Sequence, residues 1–254
     1  MKWLITIGSF LRIFRRLRFV SALKFLASRF HRREVEVFIR GQNAPILFRG
    51  STSDAWVLNT VMICQEYKGF IDFEPLTILD GGANIGMASV YWHQQFPDAE
   101  IVAVEPDPEN CRLARRNIGD SPQVHVLQGG LLSRNVKLSI INSGDENYAL
   151  RVTEDPDHGT IPAFSIASIM RERGWSVIDV LKLDVEGSEV ELLSNNYGEW
   201  IDCVNVLIVE LHQQFSLKGA EVLFRAFSNR TFNLRWRGED LVITRRPRLQ
   251  HGSR

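Results

Sequence analysis

Short apolar runs that alternate with helical patterns constrain the fold of this chain more than any other feature. From Leu76 onward the runs read, in order, LTILD, EIVAVE, VHVLQ, VIDVLKLD and VNVLIVELH. Strands that are apolar throughout are buried on both faces, which requires a parallel sheet with helices on each side. The end of the chain, FNLRW-RGED-LVITR, is typical of an antiparallel hairpin. We therefore predict an α/β, Rossmann-like, doubly wound domain over 76–246, with a mostly parallel sheet and this hairpin at its end.

The remaining residues divide into three shorter parts. Residues 34–75 contain two short strand patterns around a Gly-Gln-Asn turn and then a helix, which we expect to pack on the main domain. Residues 247–254 are expected to form a disordered tail. Residues 1–33 carry nine Lys or Arg and no acid, whereas the other residues carry 21 bases and 30 acids. The formal net charge of zero therefore conceals a basic amino-terminal arm on an acidic body.

The arm is predicted to form a basic amphipathic helix. Its apolar residues recur at helical spacing: Leu11, Phe14, Leu17, Val20, Leu23 and Leu26. The apolar stretch 3–11 is too short to span a bilayer, and arginines follow it where a signal peptide would need a cleavage site. Two interpretations stay open. Either the helix lies on an anionic membrane or an acidic partner, or it packs on its own domain or on a second subunit.

The charge balance limits the classes of binding partner, and the cysteines indicate the cellular compartment. An acidic body disfavours nucleic acid as a partner. The three cysteines, Cys64, Cys111 and Cys203, are widely spaced and form no CxxC pair, which favours reduced thiols over a disulfide framework or a zinc site. We therefore expect a cytoplasmic protein, with membrane association through the arm as an open alternative.

A glycine-rich loop, LDGGANIG, follows the first apolar run where a strand meets a helix. Ligands bind beyond the carboxyl ends of the strands in such sheets. Gly81, Gly82 and Gly86 permit sharp turns and close approach of a ligand, and Asn84 tolerates a positive φ. The loop matches neither GxGxxG nor a P-loop. Asp80 at its head would repel a pyrophosphate but suits a positive amine, such as that of S-adenosylmethionine.

Two further positions predict contacts to a nucleoside. Glu105 ends the second strand, 25 residues after Asp80. That separation is close to the ~20 residues at which an acid accepts hydrogen bonds from ribose hydroxyls in dinucleotide sites. Gln128 and Gly129 follow the third strand, where amide and backbone groups can face an adenine ring. Together with the loop, these residues predict a nucleoside site.

Four segments resemble the FkbM-type methyltransferases of the class I S-adenosylmethionine-dependent superfamily. They are DGGANIG, VEPDPEN, LKLDVEGSEVELL and LIVELH, and the resemblance covers 66–212. It implies a seven-stranded sheet with strand order 3-2-1-4-5-7-6 and O-methylation of sugars, polyketides or related natural products. By position it assigns the cofactor role to Asp80, Gly82, Asn84, Gly86 and Glu105. The arm is not explained by it.

Charged residues at two neighbouring strand ends are candidates for the chemistry. Lys182, Asp184 and Glu186 have like parity at the end of one strand, and Glu210 and His212 have like parity at the end of the next. In one interpretation His212 is the general base that removes the acceptor's hydroxyl proton, oriented by Glu210 or Asp184. In another, Asp184, Glu210 and His212 bind Mg²⁺, which then binds the acceptor oxygen. We favour the metal-free base. Asp184 is also a candidate contact to the cofactor, and Glu189, on the following helix, is expected to face solvent.

The preferred function is O-methylation of a small hydroxylated substrate, and two alternatives remain. A methyltransferase acting on a macromolecule is disfavoured because the position after the fourth strand reads Asp-Val-Glu-Gly, not the Asn/Asp-Pro-Pro-aromatic motif of amino-methylating nucleic-acid enzymes. A non-catalytic module that binds the cofactor and docks through the arm is disfavoured because clustered buried charges are costly without a task.

Overall fold

The computed structural model describes residues 7–141, 151–155, 157–185, 187–210 and 216–245. Numbered along the chain, the strands are β1 (Glu34–Val37), β2 (Ile46–Arg49), β3 (Thr77–Gly81), β4 (Glu100–Glu105), β5 (Val124–Gln128), β6 (Gly130–Leu131), β7 (Lys137–Ile141), β8 (Arg151–Glu154), β9 (Ile161–Phe164), β10 (Ile178–Leu183), β11 (Val204–Glu210), β12 (Phe232–Arg237) and β13 (Asp240–Arg245). The α-helices are α1 (Ile7–Arg16), α2 (Phe19–Ala27), α3 (Asp54–Leu58), α4 (Met87–Gln95), α5 (Pro108–Ile118), α6 (Ile166–Arg173), α7 (Glu189–Ser194) and α8 (Ser216–Phe227). A π-helical turn, Asn59–Ile63, continues α3.

The central sheet has seven strands in the spatial order β12-β13-β11-β10-β3-β4-β5. From β11 to β5 all neighbours are parallel, whereas β13 is antiparallel to both β11 and β12. The predicted mixed α/β fold with a large, mostly parallel sheet is confirmed. A second sheet, β6-β9-β7-β8, is inserted between β5 and α6.

Alternate residues of the central strands pack into two separate apolar layers. Ile78 of β3 belongs to the layer that contains α4, α5 and the amino-terminal segments, and Leu79 belongs to the layer that contains α6, α7 and α8. Val180 and Leu181 of β10 divide between the layers in the same way. Because neighbouring residues of a strand point to opposite faces, an uninterrupted apolar run is what burial on both faces requires.

The amino-terminal segments belong to the first of these layers. The hairpin of β1 and β2 buries Val37 and Phe48, which lie in one cluster with Ile13 and Phe25 of the two preceding helices. Residues 34–75 therefore contain two strands and a helix whose apolar side chains join this cluster.

The prediction of a single helix with one apolar stripe in the arm is wrong. The helix breaks at Arg18, whose backbone is extended and whose N–H donates to the carbonyl of Phe38 at 3.0 Å. The core receives Ile13, Leu17, Ala22 and Phe25, whereas three members of the predicted stripe are exposed: Leu11, Val20 and Leu23. The β-bridge between Leu17 and Ile39 explains the break, because pairing with the hairpin competes with helical hydrogen bonds.

Within the described ranges, the helices are too short or too polar to cross a bilayer. The predicted tail at 247–254 lies outside the described residues.

Candidate functional site

The charged residues that the sequence singled out lie along one edge of the central sheet, the edge formed by the carboxyl ends of its parallel strands. The parallel strands β3, β4, β10 and β11 end there, and β13 begins there because it runs the other way. In open α/β sheets this edge is where ligands bind. The register aligns Lys182 with Asp80, and Glu210 with Asp240.

The glycine-rich loop is held by hydrogen bonds to the strands on both sides. The N–H groups of Gly82 and Ala83 both donate to the carbonyl of Val104, each at 3.0 Å, and the N–H of Asp184 donates to the carbonyl of Gly81 at 3.2 Å. A Cβ atom at Gly82 would lie only 1.8 Å from the carbonyl oxygen of Asp184. Glycine is therefore required here because the loop passes directly against the end of β10.

Three loop residues have left-handed backbone conformations, namely Gly82 with φ 75°, Asn84 with φ 50° and Gly86 with φ 82°. Asn84 is the only non-glycine among them, as expected from its tolerance of positive φ. Its Oδ1 accepts a hydrogen bond from the N–H of Ile85 at 2.7 Å. These conformations turn the chain sharply from β3 into α4.

Glu105 is fixed at the tip of β4 by three donors. Its Oε2 accepts from the N–H of Asn84 at 2.8 Å, and its Oε1 accepts from the N–H of Asp107 at 3.0 Å and from Nδ2 of Asn110 at 3.2 Å. Burial raises the pKa of this carboxyl group, and the three hydrogen bonds oppose that rise. The structure thus ties the predicted ribose acceptor directly to the loop.

The two residues predicted to face an adenine lie beside Glu105. Gln128 is its register partner at the end of β5 and is exposed, and the N–H of Gly129 donates to the Glu105 carbonyl at 2.9 Å. A Cβ atom at Gly129 would lie 2.5 Å from the ring of Phe164, so glycine lets β9 pack closely here.

Asp80, near the end of β3, is fully buried. Its Oδ2 accepts from the hydroxyl of Ser89 at 2.6 Å, and its Oδ1 lies 3.6 Å from Nζ of Lys182. Among the described residues, Oδ1 has no hydrogen-bond partner. A ligand amine would therefore reach Asp80 only by displacing the ammonium of Lys182.

Lys182 is a buried cation surrounded by oxygen atoms. Its Nζ donates to the carbonyl of Gly82 and to Oδ2 of Asp184, both at 3.2 Å. Burial lowers its pKa, but the negative charges of Asp184 and Asp80 outweigh burial, and the net effect is a pKa well above the ordinary 10.5. An ammonium held in its charged form cannot accept a proton, so the geometry favours Lys182 as a residue that positions the loop and Asp184.

Three residues that the sequence did not single out lie beside this cluster, namely Glu66, Tyr67 and Asp240. Burial, with the charges of Asp240 and Glu239, raises the pKa of Glu66 to about 7. Burial likewise raises the pKa of Asp240 to about 6, and the charge of Asp184 adds to the rise. Tyr67 is buried against Trp92, with ring centroids 5.0 Å apart, and burial raises its pKa well above 10.0.

The other predicted catalytic residues have different outcomes. Glu210 ends β11 as predicted and is half-buried. Glu186 and His212 lie outside the described residues, so their predicted roles stay predictions. Glu189 was expected to face solvent, and this is wrong: it is 2% exposed and its carboxylate accepts from the N–H groups of Val185 and Gly187, both at 2.8 Å. It holds the turn that follows β10.

The described residues do not form a recognisable metal-binding site. Within them, no three His, Cys, Asp or Glu side chains are grouped closely enough to hold a metal ion. The predicted alternative set of Asp184, Glu210 and His212 includes a residue outside the described ranges, so this alternative stays a prediction.

Comparison with known proteins identifies the class of this chain. Residues 80–233 match the model of the methyltransferase FkbM domain. Methyltransferase sdnD of Sordaria araneosa is 27% identical over 173 residues, which cover 52% of this chain and 65% of that protein. Methyltransferase 1 of Beauveria bassiana (strain ARSEF 2860) is 27% identical over 168 residues, which cover 53% of this chain and 64% of that protein. The chain thus spans just under two thirds of the length of these curated relatives.

Among solved structures, methyltransferase FkbM from Methylobacillus flagellatus KT aligns with a TM-score of 0.48 and 14% identity, covering 94% of this chain and 58% of that one. The family match spans more than half of the chain and contains the glycine-rich loop, Glu105 and the charged ends of β10 and β11. This chain belongs to the FkbM methyltransferase family.

Proposed function

We propose that this methyltransferase uses S-adenosylmethionine to methylate a hydroxyl oxygen of a small molecule, such as a sugar or a secondary metabolite. One observation carries the cofactor assignment. The carboxylate of Glu105 is fixed at the tip of β4 by the backbone N–H of Asn84, within the loop that turns β3 into α4. An acid held at this point is placed to accept hydrogen bonds from both hydroxyls of a ribose.

The residues around Glu105 fit the other parts of the cofactor. Gln128 and Gly129 lie next to Glu105 and offer amide and backbone groups to an adenine. The ammonium of the cofactor's methionine part suits Asp184, whose side chain is 29% exposed, better than Asp80, which is fully buried. When bound, the cofactor supplies an electrophilic methyl group on a sulfonium.

The chain's own task is to position the acceptor hydroxyl and remove its proton. We propose His212 as the general base, oriented by Glu210 at the end of β11, because imidazole titrates near neutral pH. Glu66 is the alternative base, since its pKa of about 7 lets it accept a proton under the same conditions. Lys182 holds Asp184 and the loop in place and is not a proton acceptor.

The charge at the sheet edge supports a small, uncharged acceptor. The carboxylates of Asp184, Asp240 and Glu66 interact there with the buried ammonium of Lys182. Glu210 is the register partner of Asp240 on β11. Such an edge repels the phosphates of a nucleic acid. A sugar or polyketide hydroxyl, in contrast, can hydrogen-bond to carboxylates without a charge penalty.

Calorimetric titration with S-adenosylmethionine and S-adenosylhomocysteine tests the cofactor assignment. Glu105→Gln should weaken binding by about tenfold or more, because a charge-assisted acceptor for the ribose is lost. Glu109→Gln is the matched control, since Glu109 lies four residues after Glu105, on α5, and its side chain is exposed. Folded wild-type protein that binds neither compound, with or without Mg²⁺, would contradict the proposal, as would equal loss in both variants.

Release of S-adenosylhomocysteine in the presence of hydroxylated sugars and metabolites tests the acceptor class. Turnover with a hydroxylated compound, and methyl-ether formation seen by mass spectrometry, are the expected results. Cofactor binding without turnover on any acceptor class would favour the non-catalytic module. Turnover only with RNA, DNA or protein would favour the macromolecular alternative. Titration with EDTA and Mg²⁺ in the same assay separates the metal-free base from the metal interpretation.

A further inference from the structure

The two amino-terminal helices present a second apolar surface, opposite to the one they bury. The side of α2 that faces away from the core carries Phe19, Leu23 and Ala27 at successive helical turns, all exposed, with Val20 beside them. Phe19 and Val20 are 63% and 62% exposed. Soluble surfaces seldom place so many large apolar side chains side by side on one helix, so this face indicates a contact.

The apolar surface continues from α2 onto α1. The ring of Phe14 lies 4.7 Å from that of Phe10 and 5.7 Å from that of Phe19, measured between centroids, and so joins the two helices. Of the twelve large apolar side chains exposed in the described part of the chain, six belong to this patch or to the turn that follows it: Phe10, Leu11, Phe19, Val20, Leu23 and Phe30. We call these six residues the outer apolar patch.

Exposed cations alternate along the chain with the residues of the outer apolar patch, and the sequence has no acid before Glu34. The exposed bases of this segment are Arg12, Arg15, Arg18, Lys24, Arg29, Arg32 and Arg33. Apolar side chains flanked by Lys and Arg are the composition of helices that lie in the interface of an anionic bilayer, where apolar burial and attraction to lipid headgroups add.

Charge also distinguishes a lipid bilayer from a second copy of the chain as the occupant of this surface. In a symmetric dimer the same patch of each subunit meets its copy, so seven like charges would face seven like charges. An anionic lipid surface neutralises the same charges. We propose that α1 and α2 dock the protein on an anionic phospholipid bilayer through the outer apolar patch and the exposed bases of this segment. This inference does not depend on the acceptor or on the cofactor.

Vesicle co-sedimentation of the 254-residue protein tests the proposal directly. We expect binding to phosphatidylcholine vesicles that contain phosphatidylserine to exceed binding to pure phosphatidylcholine by about tenfold or more, and to weaken as NaCl is raised. Two double variants probe the two contributions: Phe19→Ser with Leu23→Ser removes apolar area, and Arg12→Gln with Arg15→Gln removes charge. Each should reduce binding to the anionic vesicles by about tenfold or more.

The matched control is Leu76→Ser with Phe224→Ser, since these apolar residues are similarly exposed elsewhere on the surface. It should leave vesicle binding unchanged, and a thermal melt of each variant checks that the fold is retained. No vesicle binding by the wild type, or equal binding to both lipid mixtures, overturns the proposal. A dimer in sedimentation equilibrium that Phe19→Ser with Leu23→Ser dissociates, without vesicle binding, would assign the patch to a second copy instead.

Discussion

Lys182 and Asp80 are register partners on adjacent parallel strands, and their side chains form a buried ion pair with Nζ 3.6 Å from Oδ1. Lys182 also donates to the carbonyl of Gly82 and to Asp184, so one cation joins β3, the loop and β10. Charges buried at this depth are stable only as a set.

The first prediction concerns the coupling of the buried pair. Asp80→Asn and Lys182→Met should each lower the free energy of unfolding by about 3–5 kcal/mol, because each leaves an uncompensated buried group. The double variant should lose clearly less than the sum. Urea unfolding measures all three. Asp202→Asn and Arg230→Met, in an ion pair near the surface, should each cost about 1 kcal/mol or less. Additive losses at Asp80 and Lys182 would contradict the coupling.

The second prediction separates backbone strain from steric contact in the loop. Gly82→Ala combines a positive φ with a Cβ atom 1.8 Å from the carbonyl oxygen of Asp184. Gly119→Ala has nearly the same φ, +74°, but no described atom within 4 Å of its Cβ. We expect Gly119→Ala to cost about 1–2 kcal/mol in thermal unfolding with cofactor affinity retained. Gly82→Ala should cost more and also abolish cofactor binding; equal effects would contradict this.

The third prediction concerns pH. The pKa of Asp240 in the folded protein is about 6, above its ordinary 3.8, so folding favours the protonated form. Its contribution to stability is therefore complete below about pH 4 and is lost as the pH rises through 6. Asp240→Asn should stabilise the protein by about 1–3 kcal/mol at pH 8 and hardly at all at pH 4.

Thermal melts at pH 4, 6 and 8 measure this difference. Asp98→Asn, the same change at an exposed position away from this cluster, is the control and should change little at any pH. A gain from Asp240→Asn that is the same at pH 4 and pH 8 would show that the carboxyl charge is not its cause.

The fourth prediction identifies the general base. A base must be deprotonated to act, so kcat should fall as the pH drops below the pKa of the group responsible. Loss of that group should reduce kcat by about 10²–10⁴-fold with cofactor affinity nearly unchanged. We expect this result for His212→Ala. If Glu66→Gln gives it instead, and also removes the pH limb near 7, Glu66 is the base and our preferred assignment is wrong.

The sequence predicted the parts of the site that depend on local chemistry. The loop conformations and the strand end at Glu105 follow from consecutive segments of the chain, namely β3, the loop, α4 and β4, and β4 does end at Glu105. Glu66 and Tyr67 lie far from Lys182 in sequence, and only packing of the π-helical turn's end against the sheet brings them there. The sequence could have placed Asp240 at the site, because the last strand of the predicted hairpin, β13, runs antiparallel to β11 and must begin where β11 ends.

In the amino-terminal arm, by contrast, the sequence has a clear apolar pattern, but the pattern does not determine which residues are buried. Apolar residues occur on nearly all sides of 10–26, so spacing alone does not tell which of them enter the core. The pairing of Leu17 with Ile39 selects Ile13, Leu17, Ala22 and Phe25, and leaves Leu11, Val20 and Leu23 outside. That choice depends on a hairpin later in the chain, which local periodicity does not register.

The position of β13 between β12 and β11 also bears on how this protein can be divided. The family match begins within β3 and ends within β12, so it excludes β13, which hydrogen-bonds to both of its neighbours. A fragment cut at 80 and 233 would leave β11 with a row of unpaired N–H and C=O groups and would uncover the apolar layer beneath α1 and α2. Such a fragment should aggregate, because the region by which the family is recognised is smaller than the region that folds.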